Sequence, residues 1–172
     1  MNDAHLHLAI NHFPIIVPFI GLIVMIGGII LKSNSIQRTS FAIFIIAAIS
    51  TLGAMATGEG AAEMIENMSQ VESTMIHEHE EAAELFAVMV YILGLISLVG
   101  IWFNWKKKKY ANLISIVILI ISAASIYFAA NTGTTGGEIM HREIRKDVNA
   151  KQTIDDSYDL NKDEESEHED DD

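Results

Sequence analysis

Four long apolar stretches, separated by polar loops, occupy most of the first 130 residues. They cover residues 13–31, 41–57, 85–103 and 113–130, and none contains a formally charged side chain. An α-helix needs about 20 apolar residues to cross the roughly 30 Å of hydrocarbon in a bilayer. The pattern therefore predicts an all-α integral membrane protein, with a bundle of four transmembrane helices formed by residues 1–149.

A cleavable signal peptide is the alternative interpretation of the first apolar stretch. The residues before it include Asp3 but no Lys or Arg, and the stretch is longer than the ~7 to 15 apolar residues typical of a signal peptide. We therefore expect it to be retained as a membrane span.

The loops between the apolar stretches differ in charge and predict the orientation. Residues 32–40 and 104–112 together carry six basic side chains and no acidic one, whereas residues 58–84 carry eight glutamates and no Lys or Arg. Basic loops stay in the cytoplasm. The glutamate-rich loop and both termini are therefore expected outside, which in a bacterium means the periplasmic face of the inner membrane.

The C-terminal residues have a different composition from the rest of the chain. The formal net charge is -12, and residues 155–172 contain 11 acidic side chains against one lysine. Such a segment has too little apolar surface to fold, so residues 150–172 are predicted to form a disordered acidic tail. An acidic chain without a basic stripe is unsuited to nucleic acid, and the bilayer is its expected partner.

Several signals predict that helices continue beyond the membrane into an outer cap. Ser69 and Glu72 have the spacing of a capping box, and nothing between Val71 and Leu85 would break a helix. Residues 58–67 are also helical in pattern. We therefore expect a helical outer cap at the glutamate-rich end.

Histidines accumulate on the predicted outer face. His12 directly precedes Phe13 and Pro14, which places it in the first turn of span 1 near the hydrocarbon edge, where an ionisable group is a functional candidate. It could equally cap a carbonyl or reach to the interface. Six of the seven histidines share this face: His5, His7, His12, His77, His79 and His141.

His77 and His79 point roughly 200° apart on a helix, so only one can face the bundle. His79 continues onto a small and apolar stripe that includes Ala82 and Ala83, whereas His77 continues onto glutamates. His79 is therefore the better candidate ligand, and His77 is expected in water.

Carboxylates and a further histidine complete the candidate set. Glu59 and Glu63 are four residues apart and share a helix face, where they could bind a cation, accept from a histidine or face water. After span 4, the glycines at 133, 136 and 137 predict a bend that folds His141 and Glu143 back over the bundle.

Four motifs carry a resemblance to a known family and cover about residues 5–145. The chain resembles small bacterial four-helix membrane proteins grouped as domain of unknown function 2231, whose members often have His-Pro where this chain has His7-Leu8. The resemblance implies four spans and an association with respiratory or cytochrome-containing systems. The motifs are His7-x4-His12-Phe13-Pro14, Gly58-Glu59-x3-Glu63, His79-Glu80-Glu81-x2-Glu84 and Gly136-Gly137-x-Ile139-x-His141-x-Glu143-Ile144.

The first functional hypothesis is a b-type haem at the outer face, in an accessory protein of electron transfer with a periplasmic or membrane redox partner. His12 and His79 are the preferred axial ligands because both helices enter from one face, with His7 and His141 as further candidates. The chain has no cysteine, so thiolate ligation is excluded.

Two alternatives remain open from the sequence. These histidines could join Glu59, Glu63, Glu80 or Glu143 in a non-haem zinc, copper or iron site. The chain could also be a cofactor-free structural or assembly subunit whose histidines only form hydrogen bonds. Transport is disfavoured, because no charge lies within a span and four helices leave little room unless the protein oligomerises.

Overall fold

The structure, a computed structural model, describes residues 2–66, 72–106 and 109–145. Within these ranges the chain is helical and contains no β-strand. The acidic tail lies outside the described residues. The helices are α1 (Asp3–Ile10), α2 (Phe13–Ile30), α3 (Asn34–Glu66), α4 (Ser73–Trp105) and α5 (Ala111–Met140), followed by a 3-10 turn at Arg142–Ile144.

Four helical segments are long and apolar enough to cross a membrane. They are α1 together with α2, then α3, α4 and α5. Over the described residues, the prediction of an all-α fold with four helices able to cross a membrane is confirmed. The chain also divides into two compact units, residues 1–135 and 136–172, and the bundle described below belongs to the first.

Two of the helices extend well beyond their apolar stretches, as the outer-cap prediction requires. Helix α3 continues past Thr57 to Glu66, and α4 begins at Ser73, far ahead of Leu85. Glu72 is the N-cap residue of α4, while Ser69 lies outside the described residues. The extension of α4 includes His77 and His79.

The predicted glycine bend after span 4 is wrong. Helix α5 runs through Gly133, Gly136 and Gly137 to Met140, and no described glycine has a positive φ. Glycine costs a helix only about 1 kcal/mol per residue, and a helix that is already formed gains one hydrogen bond for each residue added. The chain leaves the helix at His141, whose backbone N–H donates to the Gly137 carbonyl at 2.9 Å.

The buried positions of α2 and α5 recur at alternating intervals of three and four residues. This spacing of about 3.5 residues is that of helices packed in a left-handed bundle. On α2 the buried residues are Pro14, Pro18, Gly21, Met25 and Gly28. On α5 they include Ser115, Ile118, Ser122, Ser125, Ala129 and Thr132.

Side-chain size and polarity are distributed as in a protein that faces lipid. Many interior positions carry glycine, alanine, serine or threonine, whereas Ile23, Leu95 and Ile120 are at least half exposed. Small residues let helix backbones approach, and lipid tails solvate large aliphatic side chains without penalty. This surface is suited to a lipid bilayer.

Helix α3 is the central element of the bundle and contacts α1, α2 and α4. It approaches α4 closely at Gly94, where an added Cβ would lie 2.6 Å from the Ala48 Cβ. Phe41 and Phe44 of α3 are fully buried beside this contact and form a core cluster with Met25 and other apolar residues.

A buried glutamine near the basic loops joins all four spans. The Gln37 side chain of α3 donates to the Gly28 carbonyl of α2 at 3.2 Å. Its Oε1 accepts from Ser115 Oγ of α5 at 2.8 Å and from Asn104 Nδ2 of α4 at 3.4 Å. Because Gln37 is only 5% exposed, these bonds replace water that is absent there. We call this cluster the Gln37 network.

We expect Gly94→Ala to destabilise the bundle by about 1 to 3 kcal/mol, because the new methyl group would overlap Ala48 and force two backbones apart. Gly27→Ala is the matched control, since a Cβ there would meet no atom within 4 Å. Thermal unfolding in mild detergent measures both variants. Equal melting temperatures for the two would contradict the close packing of α3 on α4.

Candidate functional site

Within the first unit, one end of the bundle combines α1, the start of α2, the end of α3, the start of α4 and the part of α5 up to Thr135. We call it the histidine end, because His7, His12, His77 and His79 belong to these segments. The Gln37 network lies at the opposite end. The two ends therefore carry different polar chemistry.

A break between α1 and α2 separates His7 from His12. Pro14 has no N–H to donate to the Ile10 carbonyl, so the helix that begins at Asp3 stops at Ile10 and a new one starts at Phe13. The last bond of α1 runs from the Asn11 backbone N–H to the His7 carbonyl at 2.8 Å. Asn11 and His12 nevertheless keep right-handed α conformations, and α1 and α2 together make up the first candidate span, Asp3–Ile30.

The His7 ring is half-buried and held by α3. Its Nδ1 lies 3.0 Å from the Ala54 carbonyl oxygen and 3.3 Å from Thr57 Oγ1. A carbonyl can only accept, so Nδ1 carries the proton and donates to Ala54. The lone pair of the neutral ring is then on Nε2, which is the atom that a metal or haem iron binds.

Glycines on α3 allow α1 to approach this closely. A Cβ at Gly60 would lie 2.5 Å from Asp3 Oδ2, and one at Gly58 would lie 3.5 Å from His7 Cε1. A larger side chain at Gly60 would therefore displace the start of α1. The glycines thus determine the position of His7.

The His79 ring is also half-buried, and α5 holds it. Its Nδ1 lies 3.1 Å from Thr135 Oγ1, whose own hydroxyl donates to the carbonyls of Asn131 and Thr132. The threonine oxygen therefore accepts from the Nδ1 proton, and the Nε2 of His79 keeps the lone pair. Thr132 Oγ1 donates to the Ala82 carbonyl at 2.9 Å and joins the same two helices.

His7 influences the His79 ring electrostatically. His79 lies outside the apolar stretch that begins at Leu85, and burial is the main cause that lowers its pKa below the ordinary value of 6.5. Positive charge on His7 lowers the pKa of His79 further, and a hydrogen bond to the Thr132 backbone opposes both effects. Burial and the charge of His7 therefore both favour the neutral form of His79.

His12, the partner that the sequence favours for His79, has a different environment. Its side chain is exposed, and its backbone carbonyl accepts from the N–H groups of Ile15 and Ile16 in the first turn of α2. The pairing of His12 with His79 stays a prediction. Between the two candidates, His7 has the ring that α3 orients.

The glutamates of this end do not assemble a metal site among the described residues. Glu59 and Glu63 are exposed, and Glu80 lies 3.9 Å from His77, which is itself 73% exposed as its charged helix face predicts. Over residues 2–66, 72–106 and 109–145, no three His, Asp or Glu side chains converge closely enough to hold a metal ion.

His141 and Glu143 form a pair within the second unit. His141 Nδ1 lies 2.9 Å from Glu143 Oε1, and both side chains are exposed. The pKa of Glu143 is lowered, first by its own backbone N–H and then by the hydrogen bond from His141. Arg145 closes the end of α5 by donating to the carbonyls of Glu138 and Ile139.

Comparison with known proteins identifies no relative of this chain. No family model matches it, and no curated protein or solved structure is significantly similar. The resemblance in its motifs therefore stays an expectation, and the site rests on its own geometry.

We expect His79 to titrate below pH 6.5 and His7→Leu to move its pKa back towards that value, because the substitution removes a neighbouring charge. Imidazole NMR of the labelled protein measures this titration. As the pH falls below 6.5 the unfolded chain takes up a proton before folded His79 does, so stability should decrease there. His77→Leu is the control, and an equal effect from it would contradict a specific coupling with His7.

Proposed function

We propose that this chain is a multi-pass protein of a bacterial inner membrane that binds b-type haem between His7 and His79 and serves electron transfer at the periplasmic face. The observation that carries the proposal is the matched orientation of the two rings. Each is half-buried, each has Nδ1 bound to an oxygen on a neighbouring helix, and each keeps its lone pair on Nε2.

The residues present fit the requirements of a haem site. Axial histidines must be neutral and are usually fixed through Nδ1, which sets the ring plane and strengthens Nε2 as a ligand. His79 meets both conditions, and small Ala82 and Ala83 follow it on α4. Such a pair in an all-helical bundle binds haem by contributing one ligand from each of two helices.

Haem would supply one-electron transfer at this site. The chain's own contribution is to orient the two rings through Ala54 and Thr135 and to keep His79 neutral by burial. The eight glutamates of residues 58–84 would surround the site with negative charge, which favours a basic soluble or membrane redox partner.

His12 is the second candidate for the ligand opposite His79. It remains in the proposal because it lies at the start of α2, but its exposed side chain has fewer protein contacts to fix it. A non-haem metal site is not proposed, since the described residues bring no three suitable side chains together.

The proposed orientation places the histidine end outside and the basic loops in the cytoplasm. The two loops expected in the cytoplasm carry the basic residues Lys32, Arg38 and Lys106–Lys109 and contain no acidic residue, which supports this orientation. The motif resemblance to domain of unknown function 2231 implies a respiratory setting, which is therefore part of the proposal.

Protein purified in mild detergent, or reconstituted with haem, should show a Soret band that shifts on reduction. His7→Ala or His79→Ala should each abolish that band or reduce haem affinity at least tenfold, because one axial ligand is lost. His77→Ala, an exposed histidine on the same helix as His79, should leave the spectrum unchanged.

The spectra also separate the alternatives. Loss of the band in His12→Ala but not in His7→Ala would transfer the ligand role to His12. A preparation that binds no haem after reconstitution would overturn the haem proposal, and a structural or assembly role would replace it.

We expect a reporter enzyme that works only outside the cytoplasm to be active when it is fused after Asp172, because four spans return the chain to the side where it began. The same reporter inserted in the loop before Ala111 should be inactive. Inactivity of the first fusion would contradict the proposed orientation.

A further inference from the structure

Helix α4 carries two buried polar atoms that have no hydrogen-bond partner among the described residues. They are Ser97 Oγ and Asn104 Oδ1. Ser97 is fully buried, and Asn104 is only 4% exposed. A serine hydroxyl can rotate and donate to a carbonyl of the preceding helical turn, as Ser122 donates to the Leu119 carbonyl at 2.8 Å. Ser97 therefore needs no partner from outside its own helix.

Asn104 Oδ1 cannot be satisfied in this way. An amide oxygen can only accept a hydrogen bond, and the backbone N–H groups inside a helix already donate to carbonyls of the preceding turn. A buried acceptor that no donor reaches is unfavourable. The donor for Asn104 Oδ1 must therefore come from outside α4.

Exchanging the oxygen and the nitrogen of the Asn104 amide would not remove the problem. The Gly28 carbonyl can only accept, so the Gln37 atom that faces it at 3.2 Å is Nε2. Gln37 Oε1 then needs donors, which are Ser115 Oγ at 2.8 Å and Asn104 Nδ2 at 3.4 Å. Asn104 Nδ2 also donates to Asn34 Oδ1 at 3.2 Å. The Gly28 carbonyl thus determines which end of the Asn104 amide is the acceptor.

Ser115 of α5 provides a second acceptor beside Asn104. Its hydroxyl has a single hydrogen, which points to Gln37 Oε1 at 2.8 Å, and its oxygen keeps its lone pairs. Ser115 is 1% exposed. Because Ser115 and Asn104 both donate to the same Gln37 oxygen, their side chains are neighbours in the Gln37 network.

The chemistry of this position selects the kind of ligand that it takes. Asn104 Oδ1 is sealed from bulk solvent, so the ligand must be small. An anion has no hydrogen to donate, and a cation would be repelled by the six basic side chains of the adjacent loops, which contain no acidic residue. Water is small and neutral and can donate to two acceptors.

We propose that the Gln37 network binds one water molecule, which donates one hydrogen to Asn104 Oδ1 and the other to Ser115 Oγ. Bulk water does not reach the network, but Asn104 is the first residue beyond the apolar stretch 85–103, so a single molecule has a short route from the basic loops. The bound water completes the polar junction of α3, α4 and α5. This site does not depend on the proposed haem site.

Side-chain amide NMR of the full chain in mild detergent tests the water site. With nitrogen-labelled asparagine, the Nδ2 hydrogens of Asn104 should show a nuclear Overhauser effect from water, with the sign of a long-lived contact. Asn131 is exposed and serves as the control, which should show only exchange with bulk water. This measurement uses the natural chain, so it does not depend on the folding of a variant.

Ser115→Ala tests the second acceptor. It removes one partner of the water while Asn104 keeps its bonds to Gln37 and Asn34, so the water signal at Asn104 should weaken at least threefold. Ser122→Ala is the matched control, because Ser122 is also a fully buried serine of α5 but donates within its own helix. It should leave the signal unchanged.

Two NMR results would overturn the proposal. One is the absence of a long-lived water signal at Asn104 in the natural chain, and the other is an equal signal in the Ser115→Ala and Ser122→Ala variants. Replacing sodium and potassium by choline separates water from a metal cation. An unchanged spectrum supports water, whereas an Asn104 resonance that follows the sodium or potassium concentration would assign the site to a cation.

Discussion

The absence of water in the hydrocarbon core is the constraint on which the rest of this structure depends. Backbone groups there must find partners within the chain, so the apolar stretches become helices. The helices cannot be driven together by apolar burial, because lipid solvates leucine as well as the bundle does. Close contacts such as Gly94 on Ala48 and polar contacts such as those of Gln37 take over that role.

The same constraint explains which parts of the fold the sequence could predict. Length and hydropathy alone indicate four spans, and the uninterrupted pattern from Val71 to Leu85 indicates that α4 starts outside the membrane. The glycines after residue 132 were misleading, since their preference for turns is weaker than the continuation of an established helix. The Gln37 network was not foreseen, because one glutamine beside a loop looks like a surface residue until its partners on other helices are known.

The sequence likewise predicted some residues of the candidate site and missed others. Sequence periodicity selects His79 over His77, and the structure places the first half-buried and the second in water. The sequence favours His12 over His7 as the partner of His79, whereas in the structure His7 is the ring that α3 holds. The approach of α1 to α3 at Gly60, which positions His7, is not visible in the sequence. Thr57 and Thr135 were also missed, although each is a hydroxyl residue at or beyond the end of an apolar stretch, a signal that could have drawn attention to them.

The Gln37 network has a mechanical consequence for the whole bundle. Hydrogen bonds from one side chain reach the other three spans near the basic loops, and the histidine end has no comparable junction among the described residues. Thermal motion of the helices should therefore be smallest at the Gln37 network and increase towards the histidine end. A site between the helices at the histidine end can then widen and narrow while the packing near the Gln37 network remains undisturbed.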